Sequence, residues 1–399
     1  MPQRRVAYIL LWFPEPTQTF ILDEVNTLCR LGLGVEVHTL YSARPPEAVA
    51  GMAPAAAPVR HLGAAYLGSL AKAAAHLDPE ARRFCFRVLN RRWRNLETMA
   101  EAWWATLAGV YLAPRFAAAG IEHIHAPWAN GPATAAWVAS HLSGIPFSFC
   151  CHAHDIYPPD GALKEKLEAA AFVRTISTAN ELHLTALAPA AAAKLVKIPY
   201  GSPLSGAPAP VRSAQPPYQL LALGRFVVKK GFPVLLAACR RLAGEGLDFR
   251  LILAGDGPQR RQLVQLVREY GLEGRVEFPG FVPHRQVPDL LGRADLFVMP
   301  CVIDPRGDRD GLPNVILEAM AHEVPVVATD VNGVSEAVRP GETGWLIPPE
   351  EAVILAQTIR EALADPGEAR RRARAGRELV AREFDSTKNY ARLKDWLEK

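Results

Sequence analysis

Apolar residues in this chain come as short blocks, separated by stretches in which they recur every three or four positions. Arg5–Leu11 is a nearly continuous apolar run, Thr19–Leu31 has helical spacing, and Val35–Leu40 is apolar again. Blocks of that length predict strands buried on both faces, and the stretch between them predicts an amphipathic helix. Such alternation predicts a parallel sheet covered by helices. It resumes with strands expected near Ile121–Ile124, Pro146–Cys151, Phe172–Ile176 and Leu195–Ile198. The interval 63–120 breaks the rhythm, being rich in Ala and Arg and poor in turn residues, and predicts a helical insertion.

A second series follows, with strands expected at Tyr218–Leu223, Phe249–Ala254, Arg275–Phe278, Leu296–Met299 and Val324–Ala328. Between the two series, Pro203, Pro208, Pro210, Pro216 and Pro217 suit neither a helix interior nor a central strand, so 202–217 reads as a linker. The expected domains are 1–201, with its insertion, and 218–382; a helix at 383–399 is a candidate to pack back on the first. The fold class is α/β, two doubly wound domains facing each other across a cleft at the carboxyl ends of their strands, where open α/β sheets bind ligands.

Composition narrows the function classes. With 399 residues, 49% hydrophobic and 22% charged, the chain fits neither a disordered segment nor a polytopic membrane protein. Six cysteines without a C-x-x-C pair argue against a disulfide scaffold or zinc ribbon, and the expectation is a reduced, cytoplasmic protein. No secretory leader and no membrane span are read. A net charge of +4 gives no reason to expect a nucleic-acid partner. The basic charge is local: Arg82, Arg83, Arg87, Arg91, Arg92 and Arg94 lie among Phe84, Phe86, Trp93, Trp103 and Trp104. Arg and Trp together suit an anionic membrane surface at the inner leaflet. A helical hairpin with inward aromatics and solvated arginines fits the same residues.

Candidate chemistry concentrates after the strands of the second series. Tyr218–Leu223 runs into Gly224-Arg225, then Lys230-Gly231, ahead of a helix expected from Phe232. Two cations near a helix start suit a diphosphate; a solvated basic loop is the plainer alternative. Gly255-Asp256-Gly257-Pro258 forms a turn that could admit a base or ribose closely, but no G-x-G-x-x-G is present and a nicotinamide dehydrogenase is disfavoured. Asp310-Gly311-Leu312-Pro313-Asn314-Val315 leads into a helix carrying Glu318. Pro313 is expected in its first turn, with the amides of 311–315 as an anion site and Glu318 a little over one turn in, able to accept two ribose hydroxyls.

Taken together, Gly224-Arg225, Lys230-Gly231, Gly255-Asp256-Gly257-Pro258, Phe278-Pro-Gly280-Phe281, Asp310 to Glu318, Val324 to Thr329 and Gly341 to Pro348 resemble the donor domain of retaining family 4 glycosyltransferases, which have the GT-B fold of two Rossmann-like domains. The resemblance implies that Arg225 and Lys230 hold the diphosphate of a nucleotide sugar, Glu318 its ribose, and Asp310 the transferred sugar. Asp310 stands where the family has glutamate. Phe13-Pro14 with Thr17, Thr19 and Glu24 resembles the Phe-Pro…Ser-Glu-Thr-Phe-Ile…Glu segment of exopolysaccharide glycosyltransferases of the colanic-acid type, which makes Thr17 and Thr19 candidates for the donor phosphates. Ile124 to Trp128 and Cys151 to Tyr157 resemble that family's histidine segments. By resemblance, His152 approaches the reacting sugar, and His125, Trp128, His154 and Asp155 lie on the acceptor side. On residue type alone, His152, His154 and Asp155 are also possible zinc or iron ligands.

The function so implied is transfer of a hexose from a UDP- or GDP-sugar to a saccharide or lipid-linked acceptor, with retention and with no metal or other cofactor. A binding scaffold without transfer activity and a sugar-nucleotide epimerase of the same fold remain alternatives.

Overall fold

A computed structural model describes residues 4–49, 51–91, 93–157, 159–202 and 215–399. The chain divides into two compact units, one formed by the residues up to Pro199 together with Thr387–Lys399, the other by Tyr200–Ser386. Most of the expected linker, with Pro203, Pro208 and Pro210, lies outside the described residues.

The first unit is built on a seven-stranded sheet: β1 (Arg5–Leu10), β2 (Gly34–Thr39), β3 (Val59–His61), β4 (His123–Ala126), β5 (Phe147–Cys151), β6 (Phe172–Thr175) and β7 (Leu195–Lys197), in the order β3-β2-β1-β4-β5-β6-β7. Every pairing is parallel, with Val6 opposite Val35 and Ile124 opposite Phe147. Helices cover both faces, which is why the strands read as apolar runs rather than alternating ones. Strand order reverses between β1 and β4, placing a switch point beside their carboxyl ends.

The insertion is helical, with Leu67–Ala75, Pro79–Leu89 and Leu96–Ala118. Asp78 caps the second of these by accepting from the amides of Glu80 and Ala81 at 2.8 and 2.9 Å. Asn95 and Thr98 form a reciprocal capping box on the third. The alanine bias has a packing cause. A Cβ at Gly109 would sit 2.7 Å from the carbonyl oxygen of Ala135, so the Leu96–Ala118 helix lies backbone-close on the Gly131–Ser143 helix, where only small side chains fit.

The second unit has a six-stranded parallel sheet: β8 (Tyr218–Leu223), β9 (Phe249–Ala254), β10 (Val276–Glu277), β11 (Leu296–Met299), β12 (Val326–Thr329) and β13 (Trp345–Ile347), ordered β10-β9-β8-β11-β12-β13. Its switch point is at β8 and β11. The Ser386–Leu397 helix buries Leu393 and Leu397 among Val6, Tyr8 and Phe172 of the first unit, and the Tyr390 hydroxyl donates to the carbonyl of Phe20 at 3.1 Å.

Several details depart from the sequence reading. Strand β4 is displaced toward Ala126 because His123 and His125, polar in pattern, are buried and hydrogen-bonded to the Ser148 hydroxyl at 2.7 and 2.8 Å. Strands β3 and β13 were not expected. Pro258, which as a proline suits a first helical turn by its sequence position, instead lies in the turn ahead of the Arg260–Glu269 helix. Pro313 is the cap residue of the Asn314–Ala321 helix, with extended backbone, and not a first-turn residue.

Candidate active site

In the second unit the candidate residues lie on loops at the carboxyl ends of β8, β9 and β11 and on the Asn314–Ala321 helix after the last of these loops. The loop after β8 is forced down onto β11 by Gly231. Its φ is +65°, and a Cβ there would meet the carbonyl oxygen of Pro300 at 1.8 Å, so no side chain fits. The Val302 amide donates to the Lys229 carbonyl at 2.9 Å, fastening the same two loops.

This brings four charged side chains together. Lys230 Nζ is 2.7 Å from Asp310 Oδ2, and Lys229 Nζ is 3.7 Å from Asp310 Oδ1 and 3.0 Å from Asp308 Oδ1. Burial raises the carboxyl pKa of Asp310, but Lys230 and Lys229 override it and hold the group below its ordinary value. Burial likewise opposes the charge of Lys230, and Asp310 more than offsets it, so its pKa is raised. Both groups are charged at neutral pH. Arg225 is exposed and has no carboxylate partner among the described residues.

Gly255 and Gly257 have a structural task. A Cβ at Gly255 would fall 1.9 Å from the Gly224 carbonyl, and one at Gly257 would crowd the Phe226 backbone within 3 Å. The Phe226 amide donates to the Asp256 carbonyl at 2.8 Å. The close approach that the Gly-Asp-Gly turn offers is thus taken up by the β8 loop. Asp256 accepts from the amide of Gly257 at 2.7 Å.

No side chain caps the Asn314–Ala321 helix. Leu312 and Val315 pack their side chains on the core, and Gly311 accepts from the Gly333 amide at 3.2 Å. Glu318 is the fifth helical residue, and its Oε1 lies 3.4 Å from His284 Nε2. His284 belongs to the short turn after Pro283 and carries no motif that would single it out in the sequence.

In the first unit, the loops after β4 and β5 are tied together by Asp155. Its Oδ2 accepts from the Ala129 amide at 2.6 Å and its Oδ1 from the His152 amide at 2.7 Å. The His152 ring lies 4.1 Å from that of Trp128 and 5.9 Å from that of Phe20. Its Nε2 is 4.0 Å from Cys150 Sγ and its Nδ1 is 3.8 Å from Asp155 Oδ2. Burial pulls the imidazole pKa down, and Cys150 and Asp155 raise it to about 9, so His152 is cationic at neutral pH.

The Ala129–Gly131 turn beside Trp128 is anchored by charged groups the sequence reading missed. Lys166, fully buried, donates to the Ala129 carbonyl and pairs with Asp160, while Glu101 accepts from the Gly131 amide at 2.7 Å. Behind the sheet, fully buried Arg174 pairs with Glu24, which also accepts from the Tyr8 hydroxyl at 3.2 Å. Each buried charge is thereby compensated.

Other candidates are placed differently from expectation. His125 is fully buried inside β4, beside Ser148 and the Tyr8 ring, with burial holding its pKa well below the ordinary value. It is a neutral core residue and not an acceptor contact. His154 is exposed while His152 is buried, because strand β5 ends at Cys151 and a helical turn starts at Ala153. Both oxygens of Asp155 are engaged by backbone amides. These three therefore do not converge as metal ligands, and among the described residues no group of three His, Cys, Asp or Glu side chains is placed to hold a metal ion. Thr17 is exposed, its hydroxyl 3.4 Å from Glu15 Oε1, and Thr19 opens the Thr19–Arg30 helix. Among the described residues no helix is long and apolar enough to cross a membrane. The expected aromatic segment is split: Phe84 and Trp93 are buried, Phe86 and Trp103 exposed, and Arg92 lies outside the described residues.

Residues 208–379 match the family described as glycosyl transferases group 1. That stretch of the second unit is similar to the group 1 glycosyl transferase domain. Among relatives, the putative colanic acid biosynthesis glycosyltransferase WcaL of Escherichia coli is 37% identical over 179 residues, 45% of this chain and 44% of that protein. The matched stretch is thus under half the length of that relative. The whole chain superposes on sucrose-phosphate synthase from Thermosynechococcus elongatus with a TM-score of 0.75 at 22% identity, covering 99% of this chain and 98% of that one. It superposes on Anabaena HepE in complex with UDP and glucose with a TM-score of 0.72 at 19% identity, covering 99% and 100%. The fold is GT-B, and the chain resembles exopolysaccharide glycosyltransferases.

Proposed function

We propose that the protein transfers a hexose from a nucleotide-diphosphate sugar to a saccharide or lipid-linked saccharide, with retention of anomeric configuration, in the synthesis of an exopolysaccharide or cell-surface glycan. The observation that carries this reading is the cationic corner of the second unit. Arg225 without a carboxylate partner and Lys230 beside it stand on one loop at a sheet's switch point, where α/β folds take phosphorylated ligands. The likeness to WcaL supports the exopolysaccharide assignment, and a UDP-bound neighbour of the same fold supports a nucleotide donor.

In this reading Arg225 and Lys230 receive the diphosphate and stabilise the charge that builds on it as the glycosidic bond breaks. These two cations do the work that a metal ion would otherwise do. Glu318 accepts the ribose hydroxyls, and Asp310 and His152 position the sugar. No protein nucleophile is assigned; the leaving phosphate takes the proton of the incoming hydroxyl. The acceptor is met at the inner membrane surface.

The test is product analysis by proton NMR after incubation with a nucleotide sugar and a candidate acceptor. The reading requires a new glycoside whose anomeric configuration equals that of the donor. Conversion of the nucleotide sugar into an isomer without acceptor, or an inverted product, would refute it.

A further inference from the structure

The Pro79–Leu89 helix has two unlike faces. Ala81, Phe84, Cys85 and Val88 are buried, whereas Arg82, Arg83, Phe86 and Arg87 are exposed. At 3.6 residues per turn, Phe86 projects opposite the buried stripe, with Arg82 and Arg83 one turn before it and Arg87 beside it. Phe86 is 67% exposed, against the usual burial of such a side chain. Arg82 is steadied by donating to the carbonyls of Leu77 and Ala75 at 2.8 and 3.0 Å. Arg83 and Arg87 have no carboxylate partner among the described residues. Trp103, 48% exposed, donates its indole N–H to the Leu89 carbonyl at 3.1 Å, which fixes a second exposed ring at the carboxyl end of the same helix.

An apolar ring surrounded by guanidinium groups that lack carboxylate partners is complementary to a surface that is anionic outside and apolar just beneath. The headgroup region of a bilayer has that order: phosphates for the arginines, acyl boundary for Phe86, and an interfacial zone that suits the Trp103 ring. A neutral protein groove would leave the arginines unmatched. We propose that the Arg82, Arg83, Phe86 and Arg87 face, with Trp103 beside it, docks on an anionic lipid bilayer. This deepens the proposed function, on whose lipid-linked acceptor it rests, by assigning the membrane contact to one helix face. None of these residues belongs to the candidate active site.

The experiment is co-sedimentation of the full chain with phosphatidylcholine vesicles and with phosphatidylcholine–phosphatidylglycerol vesicles at about two to one. Wild type should partition at least about tenfold more strongly onto the anionic vesicles. The pair Arg83→Glu with Arg87→Glu should lower that partition about thirtyfold or more, and Phe86→Ser about tenfold. Both variants sit on exposed positions and are checked for folding by circular dichroism. Wild type that stays in the supernatant, as expected if the face instead serves an acidic protein, overturns the proposal. So do variants that sediment like wild type, or equal binding to neutral vesicles. UDP- and GDP-sugar binding is measured in parallel: if it is absent while the vesicle pattern holds, the donor reading fails and the docking face stands.

Discussion

Lys230 Nζ and Asp310 Oδ2, eighty positions apart in sequence, are 2.7 Å apart at the meeting of the β8 and β11 loops. The carboxylate that family resemblance assigns to the sugar pairs with the lysine assigned to the phosphate. Under the proposed function, a donor diphosphate competes with this carboxylate for Lys230. Lys230→Ala should cut transfer by on the order of a hundredfold or more, the usual consequence of removing a charge contact to a leaving group. Steady-state kinetics with a soluble acceptor checks this, and a variant at wild-type rate contradicts the assignment.

The same pair predicts a pH window. The pKa of Asp310 is lowered, so its stabilising contribution is present above the ordinary carboxylate value, about 3.9, and is lost as pH falls through the folded value below it. Lys230 is raised, so its contribution is complete below the ordinary lysine value, about 10.4, and is lost as pH rises past it. Asp310→Asn should flatten the acid limb of a plot of unfolding free energy against pH. An unchanged acid limb would show that the carboxylate titrates alike folded and unfolded.

His152 makes a separate prediction on the first unit. Burial would lower its pKa, but Cys150 and Asp155 raise it to about 9. The imidazolium therefore stabilises the fold fully below about pH 6.5, and that contribution disappears as pH rises through about 9. NMR titration of imidazole-labelled protein should place its midpoint near 9 and lose that resonance in His152→Gln. A midpoint near or below 6.5 would contradict it.

Lys166→Met leaves Asp160 buried beside the Ala129 turn without its partner. Removing one member of a buried ion pair costs about 3–5 kcal/mol, whereas Glu101→Gln, which keeps an acceptor for the Gly131 amide, should cost under about 1 kcal/mol. Urea unfolding measures both. Equal effects would mean that the turn is held by packing and not by these charges.

Much of the fold is legible in the sequence because parallel strands buried on both faces are read as apolar blocks. The runs at Arg5–Leu10, Tyr218–Leu223 and Phe249–Ala254 need no other information. Strand β3 is only Val59–His61 with an arginine in the middle, and β13 is Trp345–Ile347 inside a turn-rich motif, so neither gives a periodic signal. Histidines in β4 disguise a core strand, since their partner Ser148 lies on β5. Buried Arg174 is equally opaque: its partner Glu24 is 150 positions away on a helix, and a lone charge in an apolar run says nothing of where its counter-ion is. For the site, loops at strand ends could be located, and Arg225, Lys230 and Asp310 are found on them, with Glu318 on the helix that follows. That the Gly-Asp-Gly turn would be filled by the β8 loop, or that His284 would reach Glu318, depends on tertiary approach and could not be read from spacing.

Nucleotide-sugar binding at Glu318 is tested most directly by a thermal-shift panel of UDP, GDP, ADP and their common sugar conjugates, without added metal, on wild type and Glu318→Ala. A nucleotide present at 100 times its dissociation constant stabilises the folded state by about 2.7 kcal/mol. One nucleotide series should raise the melting temperature of wild type, and Glu318→Ala should abolish the rise. No shift with any nucleotide, or an equal shift in the variant, would contradict a nucleotide-sugar site on the Asn314–Ala321 helix.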